Sequence, residues 1–128
     1  MGQPAAKQGD QIMATDIHII QPPGPTSPVP VPHPFTGIID GALSSDVNIG
    51  GVPAATLNST ATNTPPHIPI GGTFVKPPTN KATIIQGSPS VFINNKPAAR
   101  NGDKALTCND PVDLPAGTVI AAGMVFIG

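Results

Sequence analysis

The fold is decided by residues 87–103, whose sequence is GSPSVFINNKPAARNGD. A short apolar run at residues 91–93 is followed by Asn94-Asn95, a pair that tolerates the backbone conformation of a tight turn. The segment Pro97-Ala98-Ala99 comes shortly after that turn. The stretch therefore predicts a strand, a tight turn, a second strand and a Pro-Ala-Ala segment, in that order.

Other parts of the chain repeat this pattern, and self-similarity at fixed offsets indicates a repeat architecture. Residues 3–10 match residues 96–103 at an offset of 93, and residues 47–55 match residues 91–99 at an offset of 44. A last apolar strand closes the chain without a Pro-Ala-Ala tail. We predict a single domain over residues 1–128, with repeats near residues 3–16, 37–56 and 83–110 and a partial repeat at 118–128.

Composition favours short strands over helices. The chain has no glutamate, four leucines and 18 prolines, and each proline inside a helix costs about 3 kcal/mol. Fourteen isoleucines suit half-buried strands, and 14 glycines suit the turns between them. A net charge of −1 with 38% apolar residues is unlike a disordered chain, which is highly charged and poor in apolar residues. We predict a small, mostly β protein.

Charge and the N-terminal pattern exclude several classes of partner. Charged residues make up 10% of the chain and form no basic cluster, so we expect no nucleic-acid partner. Residues 1–7 lack the apolar core of a signal peptide, and no apolar run has the length of a membrane span. We therefore expect synthesis in the cytoplasm. The single Cys108 cannot form an internal disulfide.

Two Pro-rich segments, residues 21–34 and 63–80, interrupt the repeats. Dense prolines favour an extended backbone without internal hydrogen bonds. Flexible linkers at these places would divide 128 residues into pieces too small to hold cores of their own. We therefore predict ordered loops that wrap one domain.

The literal sequence Pro97-Ala98-Ala99-Arg100, set within the repeated strands and turns, resembles the PAAR-repeat family, the spike-tip proteins of contractile injection machines. The first copy departs from the motif at Lys7, and the middle copy has Thr56 in place of the cation and lacks Gly-Asp. The resemblance implies a conical, or pyramidal, fold with zinc near its vertex. It also implies a zinc-stabilised tip that caps and sharpens a trimeric β-helical spike and aids membrane piercing and effector delivery.

The same resemblance implies partners and a location. The partner is a trimeric, VgrG-like spike protein that carries one tip per trimer, effector proteins are further candidates, and the target membrane is contacted only transiently. The machine is a type VI secretion system or a phage-tail-like particle, which implies assembly in the bacterial cytoplasm and export on the spike tip without a signal peptide. Because the repeats run from Gln3 to Ile127, we expect a tip without a toxin domain of its own.

The resemblance also implies a metal site, since family members hold zinc with three histidines and one cysteine. This chain contains His18, His33, His67 and one cysteine, Cys108. Their separations match no zinc-finger spacing, but prolines flank His33 and precede His67, which holds both backbones extended. We predict one structural zinc per chain on these four residues. The alternative is that the histidines lie in surface loops and that Cys108 is a small buried apolar residue.

Two other functions fit the residues less well. A receptor- or carbohydrate-binding β module usually needs an aromatic platform, and the chain has four Phe and neither Trp nor Tyr. A zinc- or Cys-dependent hydrolase lacks a glutamate to act as general base. The sequence therefore predicts a protein that is not an enzyme. Asp10 and Asp103 follow glycine and are expected to accept backbone N–H groups in turns, while Arg100 is expected to form a salt bridge or cover apolar surface.

Overall fold

The computed structural model describes residues 2–128, in which strands, turns and loops alternate without a helix. It follows that this part of the chain holds no helix able to cross a membrane. The prediction of a small, mostly β single domain is confirmed. The strands are β1 (Gln3–Pro4), β2 (Gln11–Gln21), β3 (Val29–Gly41), β4 (Asn48–Ile49), β5 (Val52–Pro53), β6 (Thr60–Asn63), β7 (Thr73–Phe74), β8 (Lys81–Ile84), β9 (Phe92–Ile93), β10 (Lys96–Pro97), β11 (Lys104–Thr107), β12 (Leu114–Ile120) and β13 (Phe126–Ile127).

Most of the longer strands form one closed barrel. The antiparallel order is β12-β11-β8-β6-β3-β2-β7, and β12 also pairs with β2, so six strands close on themselves while β7 extends the end of β2. Alternate residues of a strand face opposite sides. The inward side chains fill the barrel with a dry apolar core, whose largest members are Ile12, Phe35, Ile39, Ile84 and Val119.

Three short strand pairs lie outside the barrel. Strands β4 and β5 are joined by Gly50-Gly51, and β9 and β10 by Asn94-Asn95, with all four turn residues at positive φ. Glycine and asparagine tolerate this conformation at the smallest cost. The third pair, β1 with β13, joins the two ends of the chain. We call these three pairs the outer strand pairs.

The Pro-Ala-Ala segments meet in a closed ring of backbone hydrogen bonds. Ala6 N–H donates to the Ala99 carbonyl at 2.9 Å, Ala99 N–H to the Ala55 carbonyl at 3.1 Å, and Ala55 N–H to the Ala6 carbonyl at 3.0 Å. All three side chains are fully buried. This alanine ring gives a single chain an approximate three-fold arrangement, and the small methyl groups allow three backbones to approach one another.

A turn follows each member of the ring. Asp10 accepts the N–H of Lys7 at 3.0 Å, and Asp103 accepts that of Arg100 at 2.7 Å, which confirms the turn role predicted for both aspartates. Arg100 also forms a salt bridge with Asp103 at 2.8 Å. In the middle copy, which lacks Gly-Asp, the hydroxyl of Ser59 takes the place of the carboxylate.

The prediction that residues 21–34 form a loop is wrong for residues 29–34, which begin β3. Ile17 pairs with Pro32, but Ile17 donates its N–H away from β3, to Asn109 at 2.7 Å. Because the hydrogen-bonding direction alternates along a strand, the alternate prolines of this segment all point their nitrogen atoms away from β2. Their missing N–H groups therefore cost the sheet no hydrogen bond, as at a strand edge.

Candidate metal centre

Along strand β2, the side chains that face the inside of the barrel change from apolar to polar. The inward positions of the strand are Ile12, Ala14, Asp16, His18 and Ile20, of which Asp16 and His18 are polar and almost completely buried. Because these positions alternate along one strand, Asp16 and His18 lie side by side on the same face. The apolar core therefore ends at a buried pair of polar side chains.

Two other parts of the chain bring further candidate ligands to this place. Cys108 directly follows β11 and is buried. His67 lies in the long connection between β6 and β8, where its backbone N–H donates to the side-chain oxygen of Asn80 at 2.8 Å. Strand β2, the connection between β6 and β8 and the segment after β11 thus place their candidate ligands at the same end of the barrel.

The potential ligand atoms lie at distances that suit a metal ion. Asp16, His18, His67 and Cys108 each offer one atom, and these atoms all lie within 4.8 Å of one another. His67 Nε2 is 3.0 Å from Asp16 Oδ2, and Cys108 Sγ is 3.8 Å from His18 Nε2. In a tetrahedral zinc site with bonds of about 2.0–2.3 Å, ligand atoms are separated by about 3.3–3.8 Å. The group could therefore hold a metal ion after small adjustments.

His33 lies beside this group. Its ring centroid is 5.5 Å from that of His18 and 5.7 Å from that of His67. Its Nδ1 donates to the Val31 carbonyl at 2.8 Å, and its Nε2 accepts the N–H of Ile70 at 3.3 Å. The structure thus brings three of the four predicted ligands together and places His33 at their edge, so the four-residue assignment stays a prediction.

Asp16 was missed by the sequence reasoning, which assigned Asp10 and Asp103 to turns and gave Asp16 no role. Its carboxylate is fully buried and accepts the hydroxyl of Thr107 at 2.6 Å. It also lies 3.5 Å from Cys108 Sγ. The available signal was the spacing of two residues between Asp16 and His18, which puts both on one face of a strand.

Burial shifts the pKa values of two members of the group, His18 and Cys108. Burial, and then the neighbouring His67, lowers the pKa of His18, against the opposite effect of Asp110 and Asp16. Burial, and then the charge of Asp16, raises the pKa of the Cys108 thiol to about 11. A neutral imidazole is the form that binds metal, whereas a thiol must lose its proton to do so. A thiol with this pKa is a poor nucleophile at pH 7, which favours a structural role over catalysis.

The environment of His18 fits a metal-bound imidazole. Its Nδ1 is buried without a hydrogen-bond partner among the described residues, although Asp110 Oδ2 lies 3.5 Å away outside hydrogen-bond geometry. Metal-binding histidines commonly donate their second N–H to a carboxylate, which fixes the ring. A small movement would give His18 this arrangement while Nε2 faces the group.

Comparison with known proteins adds one finding. The family model described as PAAR motif matches residues 30–113, which are 84 of the 128 residues. The matched part includes His33, His67, Cys108 and the Pro-Ala-Ala-Arg segment. No curated protein matches the chain.

Proposed function

This chain belongs to the PAAR motif family of structural spike-tip proteins, and we propose that it is a zinc-stabilised tip that caps and sharpens a trimeric spike. The observation that carries the proposal is the alanine ring of Ala6, Ala55 and Ala99, which gives one chain an approximate three-fold axis. A monomer with such an axis can face three identical chains at once. The proposed partner is a VgrG-like β-helical trimer that binds one tip.

The outer strand pairs supply a surface for this contact. Exposed apolar side chains recur on them, with Phe92 57% and Phe126 61% exposed and with Val47, Val91 and Val125 at equivalent positions. Apolar side chains of this size usually mark an interaction surface when they are grouped. Because the six strands of this surface carry one charged residue, Lys96, we expect binding to a spike to depend weakly on salt.

We propose that the metal is zinc and that His18, His33, His67 and Cys108 hold it. For His33 the change required is an exchange of the Ile70 N–H for the ion at Nε2. A zinc ion with one thiolate leaves a charge of about +1, which the buried carboxylate of Asp16 offsets. When bound, the ion crosslinks β2, β3, the connection between β6 and β8 and the segment after β11, and so strengthens a small domain.

The remaining steps of the proposal concern the machine. The chain is assembled on its spike in the bacterial cytoplasm and exported with it, and effector proteins carried by the same particle are further candidate partners. The target membrane is pierced and contacted only transiently. The buried cysteine with its raised pKa supports a structural protein over a Cys-dependent enzyme.

Metal analysis and spike binding test the proposal together. Protein purified without chelator should contain one equivalent of zinc, and less than half an equivalent would refute the metal assignment. Mixed with its cognate spike trimer, the protein should form a complex whose mass by light scattering corresponds to one tip per trimer. Three tips per trimer, or none, would refute the capping role.

Cys108→Ala distinguishes stability that depends on bound zinc from stability that depends on packing of the side chain. The variant should lose its zinc, and its melting temperature should no longer differ between zinc-loaded and chelator-treated samples. Chelator-treated wild-type protein is the matched control, because it lacks the metal but keeps the buried side chain. A variant that retains both its zinc and its zinc-dependent stability would show that Cys108 is not a ligand.

A further inference from the structure

Adjacent outer strand pairs are linked by a serine at two of three equivalent places. The hydroxyl of Ser44 donates to the side-chain oxygen of Asn94, in the turn of the next strand pair. The hydroxyl of Ser88 donates to the carbonyl of Gly128, again in the next pair. Each serine oxygen also accepts backbone N–H groups two and three residues further along the chain. We call these contacts the serine links.

The third equivalent place lacks a serine. Ala54, Ala98 and Ala5 donate their N–H groups to Val47, Val91 and Val125, respectively, which establishes the equivalence of the three strand pairs. Ser44 and Ser88 stand three residues before Val47 and Val91, and Ala122 stands three residues before Val125. No hydroxyl is present at Ala122 to reach Gly50, the residue equivalent to Asn94 and Gly128.

A cavity of about 240 Å³ lies at this unlinked place. It is lined mainly by apolar groups, including Ala5, Ile49, Ala122 and Met124. Lys7 also borders it, but its ammonium group is already bound to Asp10 at 3.2 Å and to the Ala122 carbonyl at 2.9 Å. The cavity therefore offers a partner apolar surface and no unpaired charge.

We infer that this cavity receives one large apolar side chain from a single chain of the spike trimer; this inference rests on the proposed function. The cavity opens between β1–β13 and β4–β5, so it is continuous with the apolar surface formed by Val125 and Phe126. Met124, at its rim, is 95% exposed in the isolated chain. A cavity of about 150 Å³ holds a benzene ring, so this one has room for a Phe, Leu or Met side chain.

The consequence is an asymmetric complex between a nearly symmetric tip and a symmetric trimer. The three spike chains are identical, so each can fill the cavity, and the tip docks in three equivalent orientations. In each orientation one spike chain contributes a buried anchor that the other two do not. A few well-packed anchors supply most of the binding energy of an interface.

Ala122→Leu tests the inference by filling the cavity from an exposed position. We expect this variant to bind the trimeric spike at least tenfold more weakly than the wild type in surface plasmon resonance. Ala116→Leu, the same substitution at an exposed site on β12, is the matched control and should bind as the wild type does. Equal melting temperatures of the two variants would show that both are folded.

A second variant avoids added bulk. Ala122→Ser supplies the missing hydroxyl, which can link to Gly50 and narrow the cavity, so it should also weaken spike binding. Wild-type affinity in both Ala122 variants would overturn the inference while leaving the proposed function intact. Failure of the wild type to bind the spike would overturn both. Self-association of the free wild-type chain that Ala122→Leu abolishes would assign the cavity to a second copy and overturn the spike as its occupant.

Discussion

Replacing Asp16 by asparagine should weaken zinc binding without harming the metal-free protein. Asparagine has nearly the shape of aspartate and keeps an oxygen to accept the Thr107 hydroxyl, which lies 2.6 Å from the carboxylate. It removes the negative charge that lies 3.0 Å from His67 Nε2 and 3.5 Å from Cys108 Sγ. The effect should therefore depend on the metal, since the charge matters most when a cation is nearby.

The size of the effect follows from these distances. An ion bound by His67 and Cys108 would lie within about 4 Å of the carboxylate, where a pair of unit charges gains about 4 kcal/mol at an effective dielectric constant near 20. Part of this gain offsets the cost of burying the carboxylate. Substitution of residues that support metal ligands typically weakens metal binding by 10–100-fold, or about 1.4–2.7 kcal/mol. We expect the Kd for zinc to rise by this factor.

Competition with a chromophoric chelator gives the Kd, and thermal unfolding of zinc-loaded and chelator-treated samples gives the stability. The zinc-loaded variant should melt below the wild type, while the metal-free variant should melt at the same temperature or higher because a buried charge has been removed. Asp40→Asn, at an exposed position, is the control and should change neither quantity. Equal losses of stability with and without zinc would refute the reasoning, because they would show a purely structural role for Asp16.

Four further outcomes are expected. Because the pKa of Cys108 is raised to about 11, zinc affinity measured by competition should rise about tenfold per pH unit between about pH 7 and 8 as the thiol proton is displaced. The metal-free protein should lose stability from about pH 9 to 11, since the unfolded thiol ionises before the folded one; a flat denaturation profile would contradict this. Asp103→Ala should lower the free energy of unfolding in urea by about 2–3 kcal/mol and more than Asp10→Ala does, because Asp103 is the more buried and the more closely paired; the reverse order would refute this. Gly117→Ala should cost about 1–3 kcal/mol by the same assay, because its Cβ would lie 2.9 Å from methyl groups of Ile12 and Thr107, and wild-type stability would contradict that packing.

Local features of the fold were predictable from the sequence, and long-range ones were not. The conformation of turn pairs such as Asn94-Asn95 can be predicted from residue type, and both asparagines adopt positive φ. The closure of the barrel through β12 and β2, and the alanine ring, join residues about 40 to 110 positions apart. No local pattern encodes which segments pair across such distances. The start of β3 was misjudged because prolines disfavour strands in general, and their tolerance here depends on the register with β2.

The candidate site was likewise predictable from the sequence only in part. His18, His67 and Cys108 were predicted because the family resemblance implies three histidines and one cysteine as ligands, and the chain contains only three histidines and one cysteine. Asp16 was not predicted, because an aspartate within a strand indicates a metal site only when its neighbours across the barrel are known. The position of His33 depends on hydrogen bonds to Val31 and Ile70, and neither follows from the spacing of residues.

The candidate ligand group and the alanine ring connect distant parts of the chain in different ways. The ring joins the copies through backbone hydrogen bonds, which any small residue could make, so it can remain symmetric. The candidate ligand group joins other segments through side chains: β2 supplies Asp16 and His18, the connection between β6 and β8 supplies His67, and Cys108 follows β11. The proposed ion takes its ligands from segments of different sequence, so its site does not share the three-fold arrangement of the ring. The outer strand pairs also depart from three-fold symmetry at Ala122, because the proposed partner side chain needs a cavity at only one of the three equivalent places.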